Sequence, residues 1–158
     1  MLPAEEVEQL KFIPTIPEFV TWIEKKWHDL PALSDTVSVC TYAKMCSDIA
    51  HKRALLNSLG LEKGDKVAIL DNTTPEAVEM FLAVTSAGYV AINLPSQLPE
   101  QAVIGSCMKF NVKALAYGKA FANIAELVPC KTLKIEDLCD TTAPVSYTHL
   151  TLPTMAVV

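Results

Sequence analysis

The sequence predicts an α/β fold, part of a parallel βαβ-type sheet covered by helices. Three observations carry that prediction. From Lys66 onward, short apolar runs alternate with longer segments whose apolar residues recur at helical spacing. The runs at 66–70, 89–93 and 112–116 are nearly continuous in apolar residues, as strands covered on both faces require. Glycine, proline and threonine punctuate the junctions where helices must start and stop.

Each element follows in order. Thr15 and Glu18 form a capping box around Pro17, which sits in the first turn where a missing N–H does no harm. Ile16, Phe19, Val20, Ile23 and Trp27 then share one helix face, and Leu30-Pro31 ends the helix. A short β-type run covers 37–40. Thr41 is the N-cap of a helix carrying Tyr42, Met45, Ile49, Leu56 and Leu59 in phase, and Gly60 closes it. A turn over 61–65 leads to the strand 66–70. Thr73, Pro75 and Glu76 read as a second capping box, opening a helix through Ala87 that Gly88 terminates. The strand 89–93, a helix from Pro99 to about Phe110, the strand 112–116, a short helix over 121–127 and the strand 131–135 complete the alternation.

The bulk numbers exclude several functions. At 158 residues the chain holds one ordinary domain. Hydrophobic residues at 51% against 20% charged argue against disorder, and their slight excess is what a piece cut from a larger body retains. A net charge of −5 with no basic stripe predicts no nucleic-acid partner, and no apolar run is long enough for a membrane span. The five cysteines, Cys40, Cys46, Cys107, Cys130 and Cys139, form no C-x-x-C pair and fit a reducing cytoplasm, so the expected location is cytoplasmic. His28, His51 and His149 stand at no ligand spacing with them, which argues against zinc.

Catalytic patterns are missing. The segment 60–66 imitates a phosphate loop but is one residue short of G-x-x-x-x-G-K. It also runs from helix to strand, the reverse of what presents helix N–H groups to an anion, and it carries Asp65. There is no G-x-G-x-x-G, G-x-S-x-G or H-E-x-x-H. His28 and His51 read as surface residues of amphipathic helices, Cys107 as a packed core thiol, and Met80-Phe81 as ordinary core. Glu76 and Glu79 lie three apart on one helix, and Glu76 is explained by the helix dipole. No catalytic, cofactor-binding or metal-binding residue is assigned.

The ordered series does resemble a family. Thr41-Tyr42, then Gly60-Leu61, Gly64-Asp65 and Val67-Ala68-Ile69, then Asn72, Pro75 and Glu76, then Phe81-Leu82-Ala83, and finally Ala87-Gly88 through Asn93 and Lys113-Ala114-Leu115 resemble the N-terminal part of adenylate-forming (AMP-binding) enzymes. That group includes acyl-CoA synthetases, peptide-synthetase adenylation domains and luciferase-like ligases. The resemblance covers residues 41–140. It implies an incomplete N-terminal domain of an AMP-forming acid–thiol ligase, acyl-CoA synthetase-like and suited to fatty acid metabolism. The parent would use ATP, Mg and coenzyme A, and its partners would be a carboxylic acid substrate, ATP and CoA. In the family the phosphate loop and the later working segments follow further along the chain, so none of their residues carries over and this piece is expected to be inactive.

The expected organisation is a helical lead-in at 1–40, a partial AMP-binding domain at 41–144 and a non-native tail at 145–158. Residues 145–154 resemble a translated transposon end of the kind used in sequencing-library adapters, and no charged residue occurs from Thr141 onward. Two rivals remain. One is a stand-alone α/β binding or scaffolding module without catalysis. The other is a small doubly wound nucleotide-binding enzyme, against which the glycine-free stretch 71–74 counts.

Overall fold

The structure is a computed structural model, and it describes residues 15–135. The first helix, α1 (Ile16–Trp27), starts as its sequence requires. Thr15 caps it, and the Glu18 carboxylate accepts from the Thr15 backbone N–H at 2.8 Å and from its hydroxyl at 2.7 Å. Those donors hold the exposed Glu18 carboxyl below its usual range. Val20 and Ile23 are buried, while Ile16 is exposed.

A two-stranded antiparallel hairpin follows, β1 (Pro31–Ser34) with β2 (Val39–Thr41). The sequence reading found the second strand and missed the first, because Leu30-Pro31 looked only like a helix stop. A proline at the first position of an edge strand is equally admissible, since no ladder bond is asked of its nitrogen. Asp35 closes the hairpin by accepting from the N–H groups of Val37 and Ser38, both at 2.7 Å.

Thr41 caps α2 (Tyr42–Ser58), accepting from Lys44 N–H at 3.3 Å. Gly60 ends the helix in the left-handed region at φ 70°, and the Lys131 ammonium donates to the Leu59 carbonyl there. The stretch 61–65 is a turn, in which the Asp65 carboxylate accepts from Glu62 N–H at 2.9 Å and Gly64 takes φ 87°. Nothing in it presents a helix N-terminus to a ligand.

Helix α3 (Pro75–Ser86) corrects one expectation: its N-cap is Thr74, not Thr73. The reason is local. A residue before proline is held extended, which is the N-cap conformation, so Pro75 dictates that Thr74 be the cap. Thr74 accepts from Ala77 N–H at 3.1 Å and donates its hydroxyl to Asp71 at 2.9 Å.

The remaining elements are β3 (Lys66–Leu70), β4 (Val90–Leu94), α4 (Glu100–Lys109), β5 (Ala114–Tyr117), a single 3-10 turn (Lys119–Phe121), α5 (Ala122–Ala125) and β6 (Lys131–Lys134). The four later strands form one parallel sheet in the order β4-β3-β5-β6. Alternation along the central strands divides the core in two. Val67, Ile69, Ala114 and Ala116 pack beneath α1, α2 and α3. Ala68, Leu70 and Leu115 pack against α4 and α5 on the opposite face. A sheet covered on both faces is thus what the nearly continuous apolar strands encode.

Two further expectations are corrected. Phe81 is not core: Met80 is fully buried, but Phe81 is exposed beside it. His51 is not a free surface histidine. Its ring sits partly buried, Nδ1 lies 3.0 Å from the Ser47 carbonyl, and Nε2 is buried without a partner.

Candidate functional site

The connection from β3 runs to α3 on one face of the sheet, and the connection from β4 runs to α4 on the other. Both connections leave from the carboxyl ends of these adjacent parallel strands. A cleft of about 510 Å³ lies there. Its apolar floor includes Ile69, Ala77, Phe81 and Leu94, and its polar wall includes Asn72, Asn93, Ser96 and Gln97.

Asp71 organises the loop above β3. Its carboxylate accepts from Asn72 N–H at 2.8 Å as well as from the Thr74 hydroxyl. It also fills the space in front of Gly118, where a Cβ would stand 2.0 Å from Oδ1. Gly118 is therefore required by crowding, since its φ of −78° is open to any residue. Among the described residues no lysine or arginine lines the cleft, and Asp71 contributes a carboxylate. A carboxylate with no cation beside it disfavours a triphosphate at this lining. The wall of amides and hydroxyls over an apolar floor suits an uncharged, partly apolar ligand.

The most unusual side chains lie elsewhere, between α2 and α3. Lys52 and Glu79 form an ion pair at 2.7 Å, with 1% and 4% of their side chains exposed. The other Glu79 oxygen lies 3.9 Å from Cys40 Sγ. Burial raises the Glu79 carboxyl above its usual range against the opposing pull of Lys52, and pushes the Cys40 thiol up to about 11. Cys40, Asp48 and Glu79 bring three ligand-type atoms within 4.8 Å. Asp48 is bound to Lys44 at 2.6 Å and Glu79 to Lys52, so ammonium groups already hold both carboxylates and the thiol stays protonated. This arrangement is a closed charge network that locks two helices.

Sequence reasoning treated Glu79 as one of a pair with Glu76 and did not single out Lys52. A signal was present. Lys52 lies three residues after Ile49 and four before Leu56, inside the buried stripe of α2. A lysine in that phase needs a buried acid opposite it. Cys107 is buried as expected; Cys139 and His149 lie outside the described residues.

The model of the AMP-binding enzyme family matches residues 20–152, most of the chain. The chain belongs to the AMP-binding enzyme family. Among curated proteins, Tenellin synthetase of Beauveria bassiana (strain ARSEF 2860) is 28% identical over 96 residues, covering 59% of this chain and 2% of that protein. NpsA-ThdA, an artificially fused Adenylation-PCP di-domain NRPS from Klebsiella oxytoca, matches with TM-score 0.71 at 23% identity, over 82% of this chain and 24% of its own. O-succinylbenzoate Coenzyme A Synthetase (MenE) from Bacillus subtilis, solved with AMP, matches with TM-score 0.70 at 20% identity, over 77% of this chain and 32% of its own. The chain therefore spans a third or less of each of these relatives. At these identities the structures establish the fold: a mixed α/β unit with a parallel four-stranded sheet, matching the N-terminal subdomain of adenylate-forming enzymes. Among the described residues no helix is long and apolar enough to cross a membrane.

Proposed function

We propose that this chain is the opening segment of an AMP-forming acid–thiol ligase. Such an enzyme joins a carboxylate to ATP as an acyl-adenylate, releases pyrophosphate, and passes the acyl group to a thiol. Family membership over residues 20–152 carries the reading. Coenzyme A is the acceptor we favour, in a cytoplasmic enzyme of fatty acid metabolism; the carrier-protein fusion among the structural matches supports the rival acceptor. The division into a lead-in at 1–40, a partial catalytic domain at 41–144 and a non-native tail at 145–158 belongs to the same proposal; the tail lies outside the described residues.

The chain itself is proposed to be catalytically silent. The observation behind this is the cleft, which among the described residues has a carboxylate and no cation, where phosphates would need positive charge. ATP–pyrophosphate exchange tests it: the purified chain, offered a panel of fatty and aromatic acids, is expected to give no carboxylate-dependent exchange. Exchange above the no-acid control would refute the silence, and would place an ATP site on these residues.

A further inference from the structure

The four-stranded sheet ends in two unlike strands. At one end β6 carries Lys131 and Lys134, the kind of side chain that keeps an exposed edge from pairing. At the other end β4 has no charge, no proline and no bulge in its register with β3. From Met80 to Pro99 no residue is charged. The Val90 N–H donates to the Asp65 carbonyl at 2.9 Å, so the backbone groups of Val90, Ile92 and Leu94 face β3. Those of Ala91 and Asn93 face outward, and among the described residues no strand pairs with that side. The Val90 side chain is 46% exposed there.

From this edge we propose that the free side of β4 is an interface between two copies of the chain, paired antiparallel about a two-fold axis at Ile92. The backbone dictates the register. An axis at Ile92 sets Ala91 opposite Asn93 of the partner subunit, and each such pair exchanges two N–H to carbonyl bonds. Every outward group of the strand is then used. An axis at Ala91 would call on Tyr89, whose N–H already donates to the Val84 carbonyl at 3.1 Å. An axis at Asn93 would call on Pro95, which has no N–H. Val90, Ile92 and Leu94 alternate onto one face of the strand, where Ile92 and Leu94 pack with the α4 layer. The register sets Ile92 against Ile92 of the partner subunit, and Val90 against Leu94 of the partner subunit. All of these cross-strand pairs are apolar, and β-branched residues enter each one. Charge decides which edge can meet its own copy. The lysines of β6 would face lysines, whereas the uncharged strip at β4 meets nothing that repels it.

The test uses the whole chain over a range of concentrations, with light scattering to read mass and amide exchange to read the interface. The expected species is a reversible dimer, twice the 17.2 kDa chain, with the Ala91 and Asn93 amides slowing as it forms. Asn93→Pro removes an outward donor from each copy and leaves the ladder to β3 intact. It is expected to weaken dimerisation roughly 30-fold, through two lost bonds. Val90→Lys gives β4 the protection that β6 carries, and is expected to leave a monomer. A wild-type chain that stays monomeric at every concentration would overturn the proposal. So would a species larger than a dimer, a dimer whose Ala91 and Asn93 amides stay fast, or one that both substitutions leave intact. The wild-type mass and exchange decide the matter even if a variant folds poorly.

Discussion

Removing one partner of the buried Lys52–Glu79 pair is the sharpest perturbation the fold offers. Each side chain is almost wholly out of water, and the pair is 2.7 Å apart. Glu79→Ala leaves an ammonium buried with no carboxylate, and Lys52→Met leaves a carboxylate buried with no ammonium. Each change is expected to cost about 3–5 kcal/mol, the usual range for breaking a buried pair from one side. For a domain of this size that lowers Tm by roughly 10–20 °C. The double variant Lys52→Met/Glu79→Leu behaves differently. Taking both charges out of water offsets their attraction, so the intact pair adds little net stability. The double variant is expected within about 1 kcal/mol of the parent, which makes the cycle strongly non-additive. Urea denaturation followed by far-UV circular dichroism measures all four proteins. A double variant that loses the sum of the single losses would refute the reasoning, because it would show the pair to be a net source of stability.

Other outcomes follow from the same structure. Gly118→Ala is expected to cost about 1–3 kcal/mol, because the new methyl must displace Asp71 from Asn72 and Thr74; thermal melts of G118A, and of G118A with Asp71→Ala to relieve the clash, measure it. Thr15→Ala is expected to lose about 1 kcal/mol of capping, seen as faster amide exchange in α1. Acid is expected to fray the same helix end. Its bonds to Thr15 hold the Glu18 carboxyl below the usual carboxylate range, so its contribution is present above the unfolded value and fades as the pH falls through the lower folded one; exchange rates along a pH series check the direction. Cys40, with its thiol near 11, is expected to alkylate more slowly than a free cysteine at pH 8, and to gain rate steadily toward pH 11.

How far the sequence foretold the fold depended on the range of each signal. Caps and terminators are local, and Thr15, Glu18, Thr41, Gly60 and Gly88 do what their types require. The strands 66–70 and 131–134 lie where period and composition put them. Errors arose where two local rules compete or where a partner is distant. Pro31 satisfies both the end of a helix and the start of a strand, and only pairing with β2 decides it. Thr73 and Thr74 both look like caps, and the restriction imposed by Pro75 selects the second. Phe81 fits the helical apolar pattern, yet it stands beside the cleft because no described element covers that part of α3 and β4. The Lys52–Glu79 pair joins residues 27 apart in sequence, and periodicity within one helix cannot name the partner on another.

The cleft and the ion pair lie on opposite sides of one argument about where function resides. The cleft lies beyond the carboxyl ends of β3 and β4, beside the β3–β5 boundary where the strand order reverses. Among the described residues its lining supplies no positive charge for nucleotide phosphates. Lys44, largely exposed, is paired with Asp48, and the buried Lys52 with Glu79. Position within a fold is therefore insufficient to assign a nucleotide site, because the same crevice serves only if its lining carries the matching charge. Apart from Asp71, the described residues of the lining are neutral polar or apolar.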